Sequence, residues 1–237
     1  GMRDVGVILA AAGSGSRMGR DKLMLKLGEY TVLQRSALAF ASCPDICGMA
    51  AVTRPDLLDT VRQQLEALSL PFPVWVVPGG ATRQQSVAAG VKAMPAQAMY
   101  YAIHDAARPL VTPQEIARCL ADAKKYGGAC LSAPVKDTIQ QADAKGFLED
   151  TPPRDRLRSA QTPQIFDAAW YRAGMAEAVR RGLDFTDDCQ VFRLSGGVVY
   201  LTPGSYANLK ITTPEDLPAA EEILAKREGE AREETTE

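Results

Sequence analysis

Short apolar runs alternate with segments of helical spacing through the first half of the chain, and this rhythm restricts the fold more than any other feature. Residues 5–10 form a continuous apolar run, as expected of a strand that is covered on both faces. Strand-like runs recur at 49–52, 74–77, 99–104 and 129–135, with helical patterns between them at 31–41, 55–68, 82–94 and 112–127. The alternation predicts an α/β fold: an open, mostly parallel, Rossmann-like twisted sheet with helices on both faces.

Length and charge limit the organisation and the partners. With 237 residues, 46% of them hydrophobic, the chain is long enough for one domain with a sizeable core. We expect that domain over residues 3–226, followed by a frayed, charged tail over 227–237 that is nearly free of apolar residues. The formal net charge of −2 argues against nucleic acid as a partner. No apolar stretch approaches the roughly 18–20 residues of a membrane span, so no membrane partner is expected.

Cysteine usage bears on the compartment. The five cysteines are odd in number and have apolar neighbours, which favours reduced thiols in a cytoplasmic protein.

Residues 136–158 interrupt the alternation. They are polar, charged and proline-bearing, with weak strand signals near 138–141. We interpret this segment as an extended arm or hairpin rather than a linker. Beyond it, Asp167 is predicted to cap a helix that ends near Gly182, followed by a strand at 198–201 and a helix at 214–226.

A glycine-rich, cationic loop follows the first apolar run and reads AAGSGSRMGRDK over residues 11–22. Ligands of open α/β sheets bind at the carboxyl ends of the strands, where small residues let backbone N–H groups approach phosphate oxygens. The loop has neither the GxGxxG spacing of a dinucleotide site nor the GxxxxGK[ST] spacing of a P-loop. Its cations Arg17, Arg20 and Lys22 suit a triphosphate whose pyrophosphate departs. Glycine content alone leaves a solvated surface loop as the alternative.

A second constellation, HDAARP over 104–109, follows the fourth strand-like run and should lie at the same sheet edge. Asp105 is suited to Mg²⁺ or to ribose hydroxyls, and Arg108 to a bidentate grip on a second anion. The alternative for Asp105 is a turn cap. His104 is the only histidine. We interpret it as a packing or hydrogen-bonding residue, because a phosphate acceptor is already an anion and needs no base.

Six motifs in order resemble the 2-C-methyl-D-erythritol 4-phosphate cytidylyltransferase family, from residue 5 to about residue 217. They are AAGSGSRM (11–18), GGATRQQSV (79–87), HDAARP (104–109), APVKDT (133–138), QTPQ (161–164) and NLKIT (208–212). The resemblance implies an enzyme of the non-mevalonate isoprenoid pathway that joins CTP to methylerythritol phosphate and releases pyrophosphate. It further implies Mg²⁺ or another divalent cation, and a homodimer formed through the 136–158 arm.

The resemblance also implies residue roles. Arg17, Lys22 and Lys210 would hold the triphosphate and stabilise the five-coordinate α-phosphorus, and Asp105 would serve both metal and ribose. The nucleotide would be contacted by Ala11, Ala12, Gly13, Gly80, Ala81, Ser86, Asp105 and Ala106, with Arg83 supporting the loop at 79–81. The acceptor would be contacted by Arg108, Thr162 and Thr186, and by Thr138 and Arg154 of the partner subunit.

Some features depart from the family pattern or leave alternatives open. Many members carry Asp at the position of Ala81, and many carry Pro-Lys-Gln where this chain has Asp21-Lys22-Leu23. Arg156 and Arg158 lie close to Arg154, so the arm arginine that meets the substrate is open. Ribitol 5-phosphate cytidylyltransferases share most of these motifs, which leaves the acceptor open too.

A dinucleotide-binding dehydrogenase or a non-catalytic nucleotide-binding module is the remoter alternative. It would need a helix directly after Gly15 and an acidic residue at the end of the second strand, where this chain has Arg54.

Overall fold

The computed structural model describes residues 2–13 and 21–236. The strands are β1 Val5–Ala11, β2 Lys26–Leu27, β3 Tyr30–Thr31, β4 Ile46–Thr53, β5 Val74–Pro78, β6 Tyr100–Asp105, β7 Gly128–Pro134, β8 Gln141–Ala142, β9 Leu148–Asp150, β10 Arg158–Asp167 and β11 Tyr200–Pro203. The helices are α1 Val32–Leu38, α2 Leu58–Glu66, α3 Arg83–Ala93, α4 Pro113–Tyr126, α5 Ala168–Arg180, α6 Asp188–Arg193 and α7 Asp216–Thr236.

Seven strands form one sheet in the order β11-β7-β10-β6-β1-β4-β5. All neighbouring pairs are parallel except those of β10, which runs antiparallel to both β6 and β7. Successive side chains of β1 enter opposite layers of the core: Val7 and Leu9 pack on one face and Ile8 on the other. The continuous apolar run therefore reflects a strand covered on both sides, and the predicted α/β fold is confirmed.

The capping residues predicted for α4 and α5 are found at the starts of both helices. Thr112 and Glu115 form the predicted capping box at the start of α4, with Glu115 N–H donating to Thr112 Oγ1 at 3.1 Å and Thr112 N–H to Glu115 Oε1 at 3.0 Å. The helix ends at Gly127, whose φ of 99° is left-handed and suits glycine. Asp167 likewise accepts from Trp170 N–H at the start of α5.

Strand β10 was not predicted. Its sequence RSAQTPQIFD carries polar residues and Pro163, and its pairing with β7 shifts register between Ala160 and Gln164. Proline has no N–H to donate to a strand pair, so the sequence of this segment favours a loop, and only its pairing with β6 and β7 identifies it as a strand. The strand places Thr162 directly beside the end of β6.

The charged tail, for which fraying is expected, belongs to α7, which continues through residue 236. Low apolar content prevents burial but not helicity, and Glu, Ala, Lys and Arg are strong helix formers. The helix is anchored nearer its start by buried Ala220, and Arg227 Nη1 donates to Leu110 O at 2.8 Å.

The arm contains the predicted hairpin, made by β8 and β9, and residues 136–151 are all exposed. Across residues 2–13 and 21–236, no helix is both long and apolar enough to span a bilayer.

Candidate active site

A cavity of about 500 Å³ opens at the carboxyl ends of β1 and β6. Its wall includes most of the residues expected to bind the nucleotide: Ala11, Ala12, Gly13, Lys22, Gly80, Ala81, Arg83, Ser86, Asp105 and Lys210. Arg17 lies outside the described residues. The sheet edge thus gathers residues from segments that are distant in sequence, as the parallel topology predicts.

A smaller cavity of about 240 Å³ adjoins the first. Four residues line both cavities: Arg83, Asp105, Thr186 and Lys210. Arg108 and Thr162 line only the smaller one, so all three residues predicted to contact the acceptor from within the subunit lie on its wall. The two cavities form one two-part site that shares cations and a carboxylate at its junction.

The loop at 79–81 is held by α3. A Cβ on Gly79 would lie 2.7 Å from both Ala12 Cβ and Ser86 Oγ, so only glycine allows this approach. Gly80 N–H donates to Ser86 Oγ at 3.2 Å, and Ala81 N–H donates to Gln85 Oε1 at 2.9 Å. Ser86 and Gln85 therefore support this loop.

Arg83 does not have the predicted role of supporting that loop. Its Nη1 contacts Asp105 Oδ1 at 2.6 Å and its Nη2 contacts Asp188 Oδ2 at 2.8 Å. Burial alone would lower the Arg83 pKa, but the two carboxylates raise it above its usual value. Sequence reasoning missed Asp188, since it is 105 residues from its partner and reads only as part of a helix start.

Asp105 is the electrostatic centre of the site. Burial would raise the pKa of its carboxyl, but the charges of Arg83, Lys210 and Arg108 outweigh burial and hold the pKa at about 2. Within residues 2–13 and 21–236, Oδ1 is paired with Arg83 Nη1 at 2.6 Å, and Oδ2 has a longer ion pair with Arg108 Nε at 3.5 Å. The carboxylate is ionised at any physiological pH, and Oδ2 is the oxygen more available to a ligand.

The donors at this position fit a magnesium ion held mainly by substrate. In the part of the chain that the structure describes, no cluster of three or more His, Cys, Asp or Glu side chains could bind a metal. Mg²⁺ commonly takes one or two carboxylates and completes its shell with water and phosphate oxygens. The ionised Asp105 carboxylate has the chemistry of a ligand in such a shell.

His104 is a structural residue, as predicted. It is fully buried, with Nε2 3.0 Å from Arg108 O and Nδ1 2.9 Å from Thr162 Oγ1. A carbonyl only accepts, so Nε2 carries the proton and Nδ1 accepts from Thr162, whose Oγ1 in turn accepts from Asp105 N–H. Burial lowers the His104 pKa to about 4, so the ring is neutral. The network aligns the backbone beneath Asp105.

Lys22 and Lys210 add two ammonium groups to the guanidinium of Arg83 on the wall of the larger cavity. Asp21 caps the 3-10 turn Lys22–Met24, accepting from Leu23 N–H at 3.0 Å, and buried Leu23 anchors it. Burial and the neighbouring charge of Lys210 lower the Lys22 pKa. The two ammonium groups are therefore close enough to repel one another, which an incoming polyanion would relieve.

Asn208, which sequence reasoning did not single out, positions the segment that carries Lys210. It is fully buried and its Nδ2 donates to Gln161 Oε1 at 3.1 Å and to Thr162 O at 2.9 Å. The backbone carbonyl of Asn208 accepts from Arg108 Nη1 at 2.7 Å. Asn208 thus connects three residues that line the smaller cavity, Arg108, Gln161 and Thr162, to the segment that carries Lys210.

Ala106 does not line either cavity. It is fully buried, its N–H donates to Ala10 O at 3.0 Å and its carbonyl accepts from Ser36 Oγ at 2.6 Å. The neighbouring Ala107 lines the larger cavity instead. The geometry of the turn after β6 decides which of the two alanines faces the ligand.

The arm residues lie apart from both cavities of their own subunit. Thr138 and Arg154 are exposed, and Arg154 Nη1 donates to Lys136 O at 2.7 Å. The Arg158 side chain donates from Nη1 to the backbone carbonyls of Asp155 and Leu157.

Comparison with known proteins agrees with this geometry. A family model described as 2-C-methyl-D-erythritol 4-phosphate cytidylyltransferase matches residues 5–226. The chain is similar to proteins of that name from Nostoc punctiforme, at 39% identity over 93% of this chain and 98% of the relative, and from a Synechococcus species, at 41% identity over 93% and 99%.

Solved structures give the same result. The chain resembles the 4-diphosphocytidyl-2C-methyl-D-erythritol synthase of Anaerococcus prevotii, with a TM-score of 0.84 and 28% identity over 94% of this chain and 99% of that one. It also resembles the 2-C-methyl-D-erythritol 4-phosphate cytidylyltransferase of Thermus thermophilus, with a TM-score of 0.74 and 32% identity over 93% and 98%. The chain therefore belongs to the 2-C-methyl-D-erythritol 4-phosphate cytidylyltransferase family.

Proposed function

We propose that the chain transfers a cytidylyl group from CTP to 2-C-methyl-D-erythritol 4-phosphate, giving CDP-methylerythritol and pyrophosphate for isoprenoid precursor synthesis. The observation that carries the proposal is the junction of the two cavities, where Arg83, Asp105, Thr186 and Lys210 line both. A nucleoside triphosphate in the larger cavity would present its α-phosphorus to an acceptor phosphate in the smaller one. Membership of this family sets the dehydrogenase alternative aside.

In the proposed reaction a phosphate oxygen of the acceptor attacks the α-phosphorus, and the bond between that phosphorus and the bridging β-oxygen breaks. The leaving pyrophosphate takes the bonding electron pair. No proton is removed, which agrees with a neutral His104 whose two ring nitrogens are both engaged. Catalysis therefore depends on position and charge.

The magnitudes are sufficient for this mechanism. Enzymes lower barriers by about 8–23 kcal/mol. In-line positioning supplies about 7–11 kcal/mol, and each aimed charged donor roughly 3–4 kcal/mol. Lys22 and Lys210 in the larger cavity, with Arg17 as the third expected cation, reach this range without a covalent intermediate.

The base would be read by backbone groups of residues 11–13 and 79–81. Both segments line the larger cavity, and the contact of Gly79 with Ala12 brings them together. In this proposal the space between the two backbones accommodates a pyrimidine and not the larger purine.

We propose Mg²⁺ as the cofactor, with Asp105 as its protein ligand. When bound, the ion would neutralise charge on the triphosphate and favour departure of pyrophosphate.

Removing divalent metal should abolish turnover. We expect no pyrophosphate release in EDTA and full recovery when Mg²⁺ is added in excess, because without the ion the Asp105 carboxylate would repel the triphosphate and the charge of the leaving pyrophosphate would not be neutralised. The measurement is pyrophosphate release from CTP in both conditions. Undiminished turnover in chelator would rule out the metal.

The acceptor is tested by supplying each candidate. We expect a higher kcat/KM with methylerythritol phosphate than with ribitol 5-phosphate, in keeping with the family. The reverse order would favour the ribitol alternative.

We further propose a cytoplasmic homodimer in which each arm reaches the partner's smaller cavity. The arm exposes apolar side chains that a lone subunit leaves in water: Phe147 is 70% and Leu148 62% exposed. Contiguous exposed apolar surface typically marks an interface. Thr138 and Arg154 would then contact the acceptor bound by the partner.

Replacing Arg154 with alanine should raise KM for the acceptor by about 10–100-fold, the value of a lost charge-assisted hydrogen bond, with little change in KM for CTP. Steady-state kinetics with each substrate varied in turn measure the difference. Arg156→Ala and Arg158→Ala are the matched controls, since both side chains lie on the same arm. If one of them carries the acceptor effect instead, the assignment moves to that arginine.

Mixing two impaired variants, assayed at an acceptor concentration well below the raised KM of Arg154→Ala, tests whether the arm acts on the partner. In a mixed dimer of Lys22→Ala and Arg154→Ala subunits, a partner-reaching arm leaves one site intact, so random mixing should restore about a quarter of wild-type activity. An arm that serves its own subunit restores none.

A further inference from the structure

The ion pair between Arg83 and Asp188 connects the wall of the smaller cavity to Asp105, the carboxylate that lines both cavities. Asp188 lies on the wall of the smaller cavity, yet its side chain is only 4% exposed. Arg83 lines both cavities and also holds Asp105. The three residues form a chain of charge, negative, positive and negative, in which both carboxylates are buried and Arg83 is half-buried, and the chain crosses the junction of the two cavities.

The geometry of the guanidinium makes the two contacts interdependent. Arg83 presents Nη1 to Asp105 and Nη2 to Asp188, at 2.6 and 2.8 Å. A guanidinium is a rigid planar fork, so fixing one terminal nitrogen fixes where the other points. Without Asp188, Arg83 would be free to pair with both oxygens of Asp105, which is the preferred fork geometry.

That rearrangement would occupy the oxygen that a ligand needs. Among the residues that the structure describes, Asp105 Oδ1 is paired with Arg83 Nη1 at 2.6 Å, whereas the ion pair at Oδ2, with Arg108 Nε, is longer, at 3.5 Å. We propose that Asp188 is a positioning residue that, by holding one nitrogen of Arg83, keeps Oδ2 of Asp105 available to the metal ion that accompanies the nucleotide. The inference rests on the proposed function, because it assigns Asp105 to that metal.

The test is the metal dependence of CTP binding in Asp188→Asn. The amide keeps the shape of the side chain and removes its charge. Removing a residue that orients a metal ligand typically costs about 10–100-fold in metal affinity. The Mg²⁺ midpoint, which is the Mg²⁺ concentration at which half of the metal-dependent gain in CTP affinity is reached, should therefore rise by about tenfold or more. Isothermal titration of CTP over a Mg²⁺ series measures this, and metal-free CTP affinity should be nearly unchanged.

A matched control separates this effect from a general loss of buried charge. Asp4 is also buried and paired with a cation, Lys124 Nζ at 3.5 Å, but it precedes β1 at the opposite end of the sheet. Asp4→Asn should leave the Mg²⁺ dependence of CTP binding unchanged. A purely structural role of Asp188 would lower thermal stability without moving the Mg²⁺ midpoint.

A second variant covers the case in which Asp188→Asn fails to fold. Arg83→Lys keeps the positive charge, but one ammonium cannot hold both carboxylates in the fork geometry. It should raise the Mg²⁺ midpoint to a similar extent, and the double variant should be no worse than the worse single one. A Mg²⁺ midpoint within about twofold of wild type in whichever variant folds overturns the inference.

The two proposals fail separately. Wild-type turnover of CTP and methylerythritol phosphate tests the function. If it occurs and the Mg²⁺ midpoint does not move in the variants, only the role of Asp188 is wrong. If turnover is absent and the midpoint moves, the positioning role stands and the proposed function fails.

Discussion

Lys22→Ala is expected to lower kcat by about 10²–10³ while leaving the fold intact. Lys22 lines the larger cavity, where burial and Lys210 lower its pKa. Its ammonium would stabilise charge that develops as the α-phosphorus becomes five-coordinate and pyrophosphate departs. An interaction that strengthens in the transition state appears in kcat more than in KM.

Steady-state kinetics with circular dichroism as a folding check measure the effect. Lys26→Ala is the matched control, because that lysine lies four residues further on, is exposed, and has an Nζ that donates to Glu29 O at 3.3 Å, away from the cavity wall. We expect the control to retain wild-type kcat. A near-normal kcat in Lys22→Ala would remove Lys22 from the mechanism.

The free energy of unfolding is expected to fall by about 3 kcal/mol between pH 6.5 and pH 4 because of His104. Burial lowers its folded pKa from 6.5 to about 4, although Asp105 and the Arg108 carbonyl oppose the shift. Between pH 6.5 and pH 4 the imidazole of His104 binds a proton in the unfolded chain but stays neutral in the folded chain. The contribution of His104 to the free energy of unfolding is therefore fully present above pH 6.5 and is lost progressively as the pH falls towards 4.

Urea unfolding at several pH values, for the wild type and for His104→Gln, measures this contribution. His104 is the only histidine, so no other imidazole titrates in the window. The carboxyl of Asp188, whose pKa burial raises, contributes with the opposite sign, but it is present in both proteins and cancels in the difference. If the variant keeps the wild-type pH slope, other groups cause it and the assignment to His104 is wrong.

Periodicity and capping were sufficient to predict the frame of the molecule. The run at 5–10 was identified as a strand covered on both faces, and Thr112 with Glu115 as a helix start, because each signal depends on residues a few positions apart. The site edge followed from the same reasoning, since parallel strands place their carboxyl ends together. Lys22, Asp105 and Lys210 do meet in one cavity.

Other features depend on contacts between segments that are distant in the chain, and these the sequence did not reveal. Strand β10 exists because β6 and β7 supply its hydrogen bonds from either side. Arg83 is directed to Asp105 rather than to its own loop because Asp188, contributed by α6, holds its second nitrogen.

By itself, then, the sequence determined the α/β layering, the family and the sheet edge at which the site forms, since these follow from local patterns of apolar, glycine and charged residues. Only the tertiary structure decided which of Ala106 and Ala107 faces the ligand, which cation holds Asp105, and which protonation state His104 adopts. Those outcomes depend on burial and on a partner's charge at hydrogen-bond distance, and both arise only once the chain has folded.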